Sequence, residues 1–348
     1  MNTAEKYMNR CLELARLGAG NVAPNPMVGC VIVHEGKIIG EGFHQQCGEA
    51  HAEVNAIRSV KNKDLLSSST LYVSLEPCAH FGKTPPCSDL IIEHRIPKVI
   101  IGSIDSFAKV AGKGIEKMRK AGIEVTVGVL EKDCLWLNRR FFTFHQKKRP
   151  YLILKWAQTM DGFLDIDRSQ ITYGKPTWIS NELSRRQVHK QRTEEAAILI
   201  GTNTALKDNP SLTVREWDGN QPLRLLLDRT NHLSEKLNLK SGSCPTVVFT
   251  QEAVESKPNL EYVQIDFQTK VIPQVLAYLY DHDIQSVVVE GGQHLLQSFI
   301  DQNLWDEAYV YYGNTFFVKG VPAPRLPVAP SQSENMHDTL LKFFINPA

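Results

Sequence analysis

Residues 51–53 read H-A-E, and residues 76–87 read E-P-C-A-H-F-G-K-T-P-P-C. One imidazole, His51, and two thiols, Cys78 and Cys87, can hold a Zn²⁺ with the fourth tetrahedral position left to water, the arrangement of a catalytic rather than a structural zinc. Glu53 lies two residues past His51 and is not needed as a ligand. A carboxylate there can take a proton from water at the metal and pass it to a leaving group. A lone His-x-Glu is a weak signal, since most such pairs are solvated helix residues, and a lone cysteine pair is no better. Together, with Pro-Cys at the end of an apolar run, they outweigh the bland reading of unrelated buried cysteines.

The local patterning around this stretch sets the fold class. Residues 49–59 have helical spacing and put His51 and Glu53 in a first turn; 70–75 is an apolar strand ending at Glu76. Residues 88–94 are helical, so Cys87 sits where the positive end of the helix dipole favours thiolate. Upstream, 3–17 is an amphipathic helix with Thr3 as N-cap and Gly18 as stop. The runs 28–33 and 37–42 form a hairpin across His34-Glu35-Gly36. Downstream, 98–103 and 124–129 are strands, 114–121 a helix and 131–144 a single helix. This is a layered α/β domain with helices over a sheet, and ligands at helix starts beside strand ends fit a site at the carboxyl edge of that sheet.

The motif H-x-E followed by P-C-x-x-C belongs to zinc-dependent nucleobase deaminases, but here eight residues, not two, separate Cys78 from Cys87. With 348 residues the chain is long enough for two domains. The polar run His145-Gln146-Lys147-Lys148-Arg149-Pro150 places the boundary, giving domains 1–146 and 147–348. A formal net charge of +1 carries no nucleic-acid footprint. The N-terminus lacks a signal-peptide run, and no apolar stretch reaches transmembrane length. Seven cysteines without framework spacing favour reduced thiols in a cytoplasmic chain.

The second half restarts with a strand at 151–156, and strands and helices then alternate, the mark of a largely parallel sheet. No G-x-G-x-x-G fingerprint follows a strand, and Gly112-Lys113-Gly114 is discounted because it lacks the third glycine. Val287-Val288-Val289-Glu290-Gly291-Gly292 is the better candidate: a buried strand brings two glycines to a helix start, where a phosphate can approach the backbone. The bland alternative is a tight strand-to-helix turn. Gly201-Thr202-Asn203-Thr204 can line the same crevice, and Arg192 and Arg215 are candidate phosphate clamps.

Taken together these residues resemble the family of bifunctional riboflavin-biosynthesis enzymes, a pyrimidine deaminase fused to a pyrimidine reductase. The resemblance rests on A-P-N-P-M-V-G at 23–29, the two zinc motifs with their long Cys–Cys insert, and V-A-G-K-G at 110–114. In the second half it rests on L-K-W-A-Q-T-M-D-G at 154–162, T-W-I-S at 177–180, D-N-P-S-L-T-V-R at 208–215 and E-G-G at 290–292. Two departures stand out: Asp105-Ser106-Phe107-Ala108 in place of D-P-N-P, and Pro176 where a serine is usual. The resemblance implies a cytidine-deaminase-like three-layer domain followed by a dihydrofolate-reductase-like α/β domain, with Zn²⁺ and NADPH as cofactors. It implies zinc on His51, Cys78 and Cys87, proton transfer by Glu53, and deaminase substrate contacts at Asn25, His44, His80, Lys83 and Thr84. In the reductase it implies substrate contacts at Arg192, Leu212, Arg215 and Glu290, with Lys155 beside the ribose, and NADPH contacts at Ala157, Trp178, Thr204, Asp208, Gly291 and Gly292. The expected partners are a small pyrimidine ribotide and further copies of the chain, with no nucleic acid and no membrane. Two rivals remain at this point: a nucleic-acid base deaminase with an unrelated second domain, which needs a basic groove, and a zinc-stabilised interaction module, which needs neither Glu53 nor an open coordination position.

Overall fold

The computed structural model describes residues 2–79, 85–105, 112–168, 173–174 and 176–347. The chain forms two compact units, Met1–Lys148 and Arg149–Ala348.

In the first unit the strands are β1 (Gly29–His34), β2 (Lys37–Phe43), β3 (Thr70–Leu75), β4 (Lys98–Ser103) and β5 (Glu124–Val127). The helices are α1 (Thr3–Arg16), α2 (Ala52–Ser59), α3 (Cys87–Glu93), α4 (Lys113–Lys120), α5 (Glu131–Leu137) and α6 (Arg139–Lys147). The sheet order is β2-β1-β3-β4-β5. The expected hairpin of β1 and β2 turns through Glu35 and Gly36, both at positive φ, a two-residue turn whose twist suits antiparallel strands. From β3 onward the pairing is parallel. Ile32, Leu71, Val73, Val99 and Ile101 pack on one face under α2, α3 and α4, while Val31, Val33, Tyr72 and Ile100 meet α1 and α5 on the other. Successive residues of a strand feed opposite layers, which is why these strands read as unbroken apolar runs. The domain therefore has three layers, and each fully buried aliphatic side chain contributes about 1.5–3 kcal/mol to it.

Two local expectations are corrected. Helix α1 is capped by Asn2, not Thr3: the Asn2 Oδ1 accepts the Glu5 N–H at 2.9 Å and the Glu5 carboxylate accepts the Asn2 N–H at 2.9 Å. The single helix expected over 131–144 is α5 and α6, broken at Asn138. The buried Asn138 amide instead clasps Met27, accepting its N–H at 2.8 Å and donating to its carbonyl at 2.9 Å.

In the second unit the strands are β6 (Tyr151–Thr159), β7 (Phe163–Asp165), β8 (Ala197–Gly201), β9 (Leu223–Leu227), β10 (Thr246–Thr250), β11 (Leu260–Gln264), β12 (Ser286–Gly291), β13 (Glu307–Gly313), β14 (Val321–Pro322), β15 (Gln332–Met336) and β16 (Thr339–Ile345). The helices are α7 (Glu182–Glu194), α8 (Thr202–Asp208), α9 (Val271–Asp281) and α10 (Gln293–Asp301). The large sheet has the order β11-β10-β9-β8-β12-β6-β13-β16-β15, and β7 pairs with β14. It is parallel from β11 to β13 and antiparallel at β16 and β15. Strand β6 runs past the expected Trp156 to Thr159 because β13 pairs with it residue by residue that far. Leu152, Leu154, Leu199 and Val289 pack on α9 and α10, and Ile153, Ile198, Ile200 and Val288 face the other side with Leu212, Leu233 and Leu239. Among the described residues no helix is long and apolar enough to cross a membrane.

Candidate functional site

In the first unit the strand end and two helix starts converge. His51 is the N-cap of α2, not a first-turn residue, and its ring makes no capping bond. Cys78 follows β3, and Cys87 is the first residue of α3. The His51 Nδ1 lies 3.6 Å from the Cys78 Sγ and 3.3 Å from the Cys87 Sγ, and the three ligand atoms fall within 4.8 Å of one another. Tetrahedral zinc, with Zn–N of about 2.0 Å and Zn–S of about 2.3 Å, puts nitrogen and sulfur about 3.6 Å apart. The donor set therefore fits zinc in both chemistry and spacing.

The first-turn amide expected to favour thiolate at Cys87 serves Cys78 instead: the Cys87 N–H donates to the Cys78 Sγ at 3.3 Å. The hydrogen bond from the Cys87 thiol, and then His51, pull the Cys78 thiol down. The same bond pushes Cys87 up. Glu53 is 3% exposed and lies outside the ligand cluster. Burial, and then the Cys78 thiolate, push its carboxyl up to about 7. A carboxyl there exchanges a proton near neutrality, the range suited to general acid–base work.

Of the substrate contacts implied for this site, Asn25 and His44 are joined. The Asn25 Nδ2 lies 3.0 Å from the His44 Nε2, and the His44 Nδ1 lies 3.1 Å from the Ala50 carbonyl. A carbonyl only accepts, so Nδ1 carries the proton and Nε2 accepts from the Asn25 amide. Burial lowers the imidazole's pKa and keeps it in that neutral form. His80, Lys83 and Thr84 lie outside the described residues. Glu76 has a different task from its neighbour Cys78. Its buried carboxylate accepts the N–H groups of Gly112 at 2.9 Å, Gly114 at 3.0 Å and Ile115 at 3.3 Å. That charge occupies the N-terminus of α4, which agrees with discounting Gly112-Lys113-Gly114 as a phosphate loop. A Cβ on Gly114 would strike the Pro77 carbonyl, so glycine there lets α4 press against the metal-bearing corner.

In the second unit a cleft of about 700 Å³ opens at the carboxyl ends of β6, β8 and β12. It is lined by every residue singled out in this half: Lys155, Ala157, Trp178, Arg192, Thr204, Asp208, Leu212, Arg215, Glu290, Gly291 and Gly292. Arg192 is not a free phosphate clamp. Its Nε and Nη2 donate to the two Glu290 oxygens at 3.1 and 2.8 Å, and its Nη1 donates to the Thr213 carbonyl at 3.1 Å. Burial pushes the Glu290 carboxyl up, but Arg192 and Lys155 outweigh it and hold Glu290 down to about 2. The Lys155 Nζ stands 3.9 Å from Glu290, and burial lowers its pKa. Arg215 remains exposed, with Nη1 donating to the Thr213 Oγ1 at 3.0 Å.

The glycine pair works differently from the expectation. The Gly292 N–H donates to the Thr204 Oγ1 at 2.8 Å, and a Cβ on Gly291 or Gly292 would come within 3.2 Å of that hydroxyl. The glycines thus admit Thr204. The amides of Gln293, His294 and Leu295, first-turn donors of α10 at the cleft wall, have no partner among the described residues and are the ones open to an anion. Trp178, 62% exposed at the cleft, offers a flat face for a ring. The cleft therefore suits a phosphate-bearing dinucleotide.

Two cleft residues went unread in the sequence. Arg168 is buried between Asp165 at 2.7 Å and Asp208 at 2.8 Å, and no local spacing announces it. His189 is buried, lines the cleft, and its Nδ1 accepts the Arg215 N–H at 3.1 Å. Its position three residues before Arg192 on α7 puts both on one helix face, the signal by which it could have been found.

A family model described as the RibD C-terminal domain matches residues 150–333, and one described as the cytidine and deoxycytidylate deaminase zinc-binding region matches residues 1–103. The riboflavin biosynthesis protein RibD of Aquifex aeolicus (strain VF5) is 39% identical over 358 residues, covering 98% of each chain. A Thermotoga maritima structure, a diaminohydroxyphosphoribosylaminopyrimidine deaminase/5-amino-6-(5-phosphoribosylamino)uracil reductase, superposes with a TM-score of 0.89 at 40% identity over 99% of each chain. Acinetobacter baumannii RibD superposes with a TM-score of 0.88 at 28% identity, again over 99% of each chain.

Proposed function

This chain belongs to the RibD family of riboflavin biosynthesis proteins, and from that premise we propose which of its residues perform each of the two reactions. It is a zinc-dependent deaminase and an NADPH-dependent reductase in one chain. It deaminates the 2,5-diaminopyrimidinone ribotide and then reduces the ribosyl group to ribityl. The rival of a nucleic-acid deaminase with an unrelated second domain falls, because the reductase family covers residues 150–333.

The first unit carries deamination. His51, Cys78 and Cys87 would hold zinc, which when bound would supply a water activated at neutral pH. Glu53 accepts the proton of the attacking water and gives it to the departing amino group, which leaves as ammonia. Its burial and its carboxyl poised near 7 support that role. Asn25, held by neutral His44, binds the pyrimidine, and the family resemblance implies His80, Lys83 and Thr84 as further contacts to the same substrate.

The second unit carries reduction, with the hydride supplied by NADPH. Ala157, Trp178, Thr204, Asp208, Gly291 and Gly292 hold the cofactor; the open α10 amides beside the glycines support this. Glu290, acceptor-only and kept ionised by Arg192, takes hydrogen bonds from the ribose hydroxyls. Lys155 gives a proton to the ring oxygen as the C1′–O4′ bond opens, and its lowered pKa supports that transfer. Leu212 and Arg215 complete the substrate contacts. Seven free cysteines support a cytoplasmic location. Self-association belongs to the same proposal, and light scattering of the purified chain tests it.

The observation that carries the reading is the match of the three ligand atoms to zinc spacing beside a buried, non-ligating Glu53. Purified protein given the diaminopyrimidine ribotide and NADPH should release ammonia and then lose nicotinamide absorbance. Ammonia release without NADPH oxidation would overturn the assignment of the second cleft.

A further inference from the structure

We propose that His189 is a substrate-binding residue of the reductase cleft, donating its Nε2–H to the phosphate of the ribotide. The inference rests on the reading above that Arg215 and Glu290 flank that substrate.

His189 stands on α7 one helical turn before Arg192 and is 5% exposed, yet it reaches the cleft wall. Its Nδ1 accepts the Arg215 N–H at 3.1 Å. In a neutral imidazole the nitrogen that accepts carries no proton, so the proton sits on Nε2. That Nε2 has no hydrogen-bond partner among the described residues. It is not among the fully buried unpartnered side-chain atoms, so it opens to the cleft that His189 lines. Burial, then the charges of Arg192 and Arg215, lower the imidazole to about 4, which agrees with the neutral tautomer that the geometry requires.

The neighbourhood selects the group that Nε2 meets. His189 holds the backbone of Arg215, the exposed cleft arginine whose guanidinium is not locked to a carboxylate. The donor and that cation therefore come from residues fixed to each other, a pairing suited to a phosphate, which offers several acceptor oxygens and a double charge. The ribose hydroxyls are matched instead by the acceptor-only Glu290.

Two variants separate holding Arg215 from donating to the ligand. In His189→Asn the side-chain oxygen stands near the Nδ1 position, so the Arg215 N–H keeps an acceptor while the Nε2 donor is lost. In His189→Gln the amide reaches the Nε2 position, so a donor is kept. Steady-state reductase kinetics on 5-amino-6-(5-phosphoribosylamino)uracil and on its dephosphorylated counterpart, at saturating NADPH, with Arg215→Ala alongside, read the difference. His189→Asn should raise KM for the ribotide about tenfold with little change in kcat, as expected when a contact equal in ground and transition states is removed. It should leave KM for the dephosphorylated compound unchanged, and His189→Gln should restore most of the loss. Damage in His189→Gln with none in His189→Asn would reduce His189 to a support for Arg215 and overturn the proposal, and equal damage from the two would overturn the donor role. An equal KM rise on both substrates would overturn the phosphate assignment. A silent His189→Asn beside a damaged Arg215→Ala would overturn the proposal while leaving the substrate reading intact. Silence in both variants would remove that reading and the proposal with it.

Discussion

The Arg192 guanidinium grips the Glu290 carboxylate through two parallel bonds, Nε to Oε1 at 3.1 Å and Nη2 to Oε2 at 2.8 Å, across 98 residues of sequence. Side-chain exposures of 11% and 8% leave little water to screen the pair. Glu290 titrates near 2 in the folded chain, against 4.5 for an ordinary glutamate. A carboxyl depressed by folding contributes stability above its ordinary value and loses it as pH falls through the folded one. Glu290→Gln should therefore be destabilised near neutrality by on the order of 3 kcal/mol, and its gap to the native chain should close as the pH falls from about 4.5 toward 2. Urea unfolding at neutral and acid pH measures this. A gap independent of pH would mean that the ion pair contributes nothing.

The zinc ligands make a compositional prediction. Purified protein should carry about one zinc per chain, and Cys87→Ser should lose it, since His51 and Cys78 alone make too few ligands. Metal analysis checks both. Chelation should abolish ammonia release while NADPH oxidation on pre-deaminated substrate continues. Full zinc occupancy in a Cys78/Cys87 double serine variant would show that the ligands lie elsewhere.

Glu53→Gln separates holding metal from moving protons. Zinc content should be unchanged, because Glu53 lies outside the ligand cluster. Deamination should fall by about 10²–10⁴-fold, the usual contribution of a general acid–base group. An ammonia assay with near-normal rates would exclude Glu53 as the shuttle.

Asn138 offers a test at a distance from the chemistry. Its amide makes two hydrogen bonds to Met27, two residues from Asn25. Asn138→Ala should cost about 1–3 kcal/mol, because two backbone groups lose their partner. It should also raise the deaminase KM through a loosened Asn25 while leaving zinc in place. An unchanged thermal midpoint would count against the clasp.

The zinc site was readable because its members announce themselves locally: His51 and Glu53 are two apart, and Cys78 follows an apolar strand. The parallel sheets were readable for a similar reason, since strands covered on both faces leave short apolar runs between helical patterns. Strand β15 was not, because its sequence Q-S-E-N-M is polar and mostly exposed and takes its form from pairing with β16. Nor was the break at Asn138, because apolar residues continue at helical spacing on both sides of it and only the contact with Met27 ends the helix. The Arg192–Glu290 pair escaped for the same physical reason: neither residue's neighbours in sequence reveal a partner 98 positions away. Read singly, Arg192 looked available to phosphate.

The metal ligands occupy residues 51–87, whereas the cleft draws on residues from Lys155 to Val321. A chain made from its N-terminus, and folding domain by domain as it emerges, completes its metal ligands early. The reducing cleft must wait for β12 and α10, close to the end of synthesis. Metal supply thus acts on one half of the chain and not the other. A cell starved of zinc would accumulate chains able to reduce but not to deaminate, and the pathway would stall at its amino-bearing intermediate.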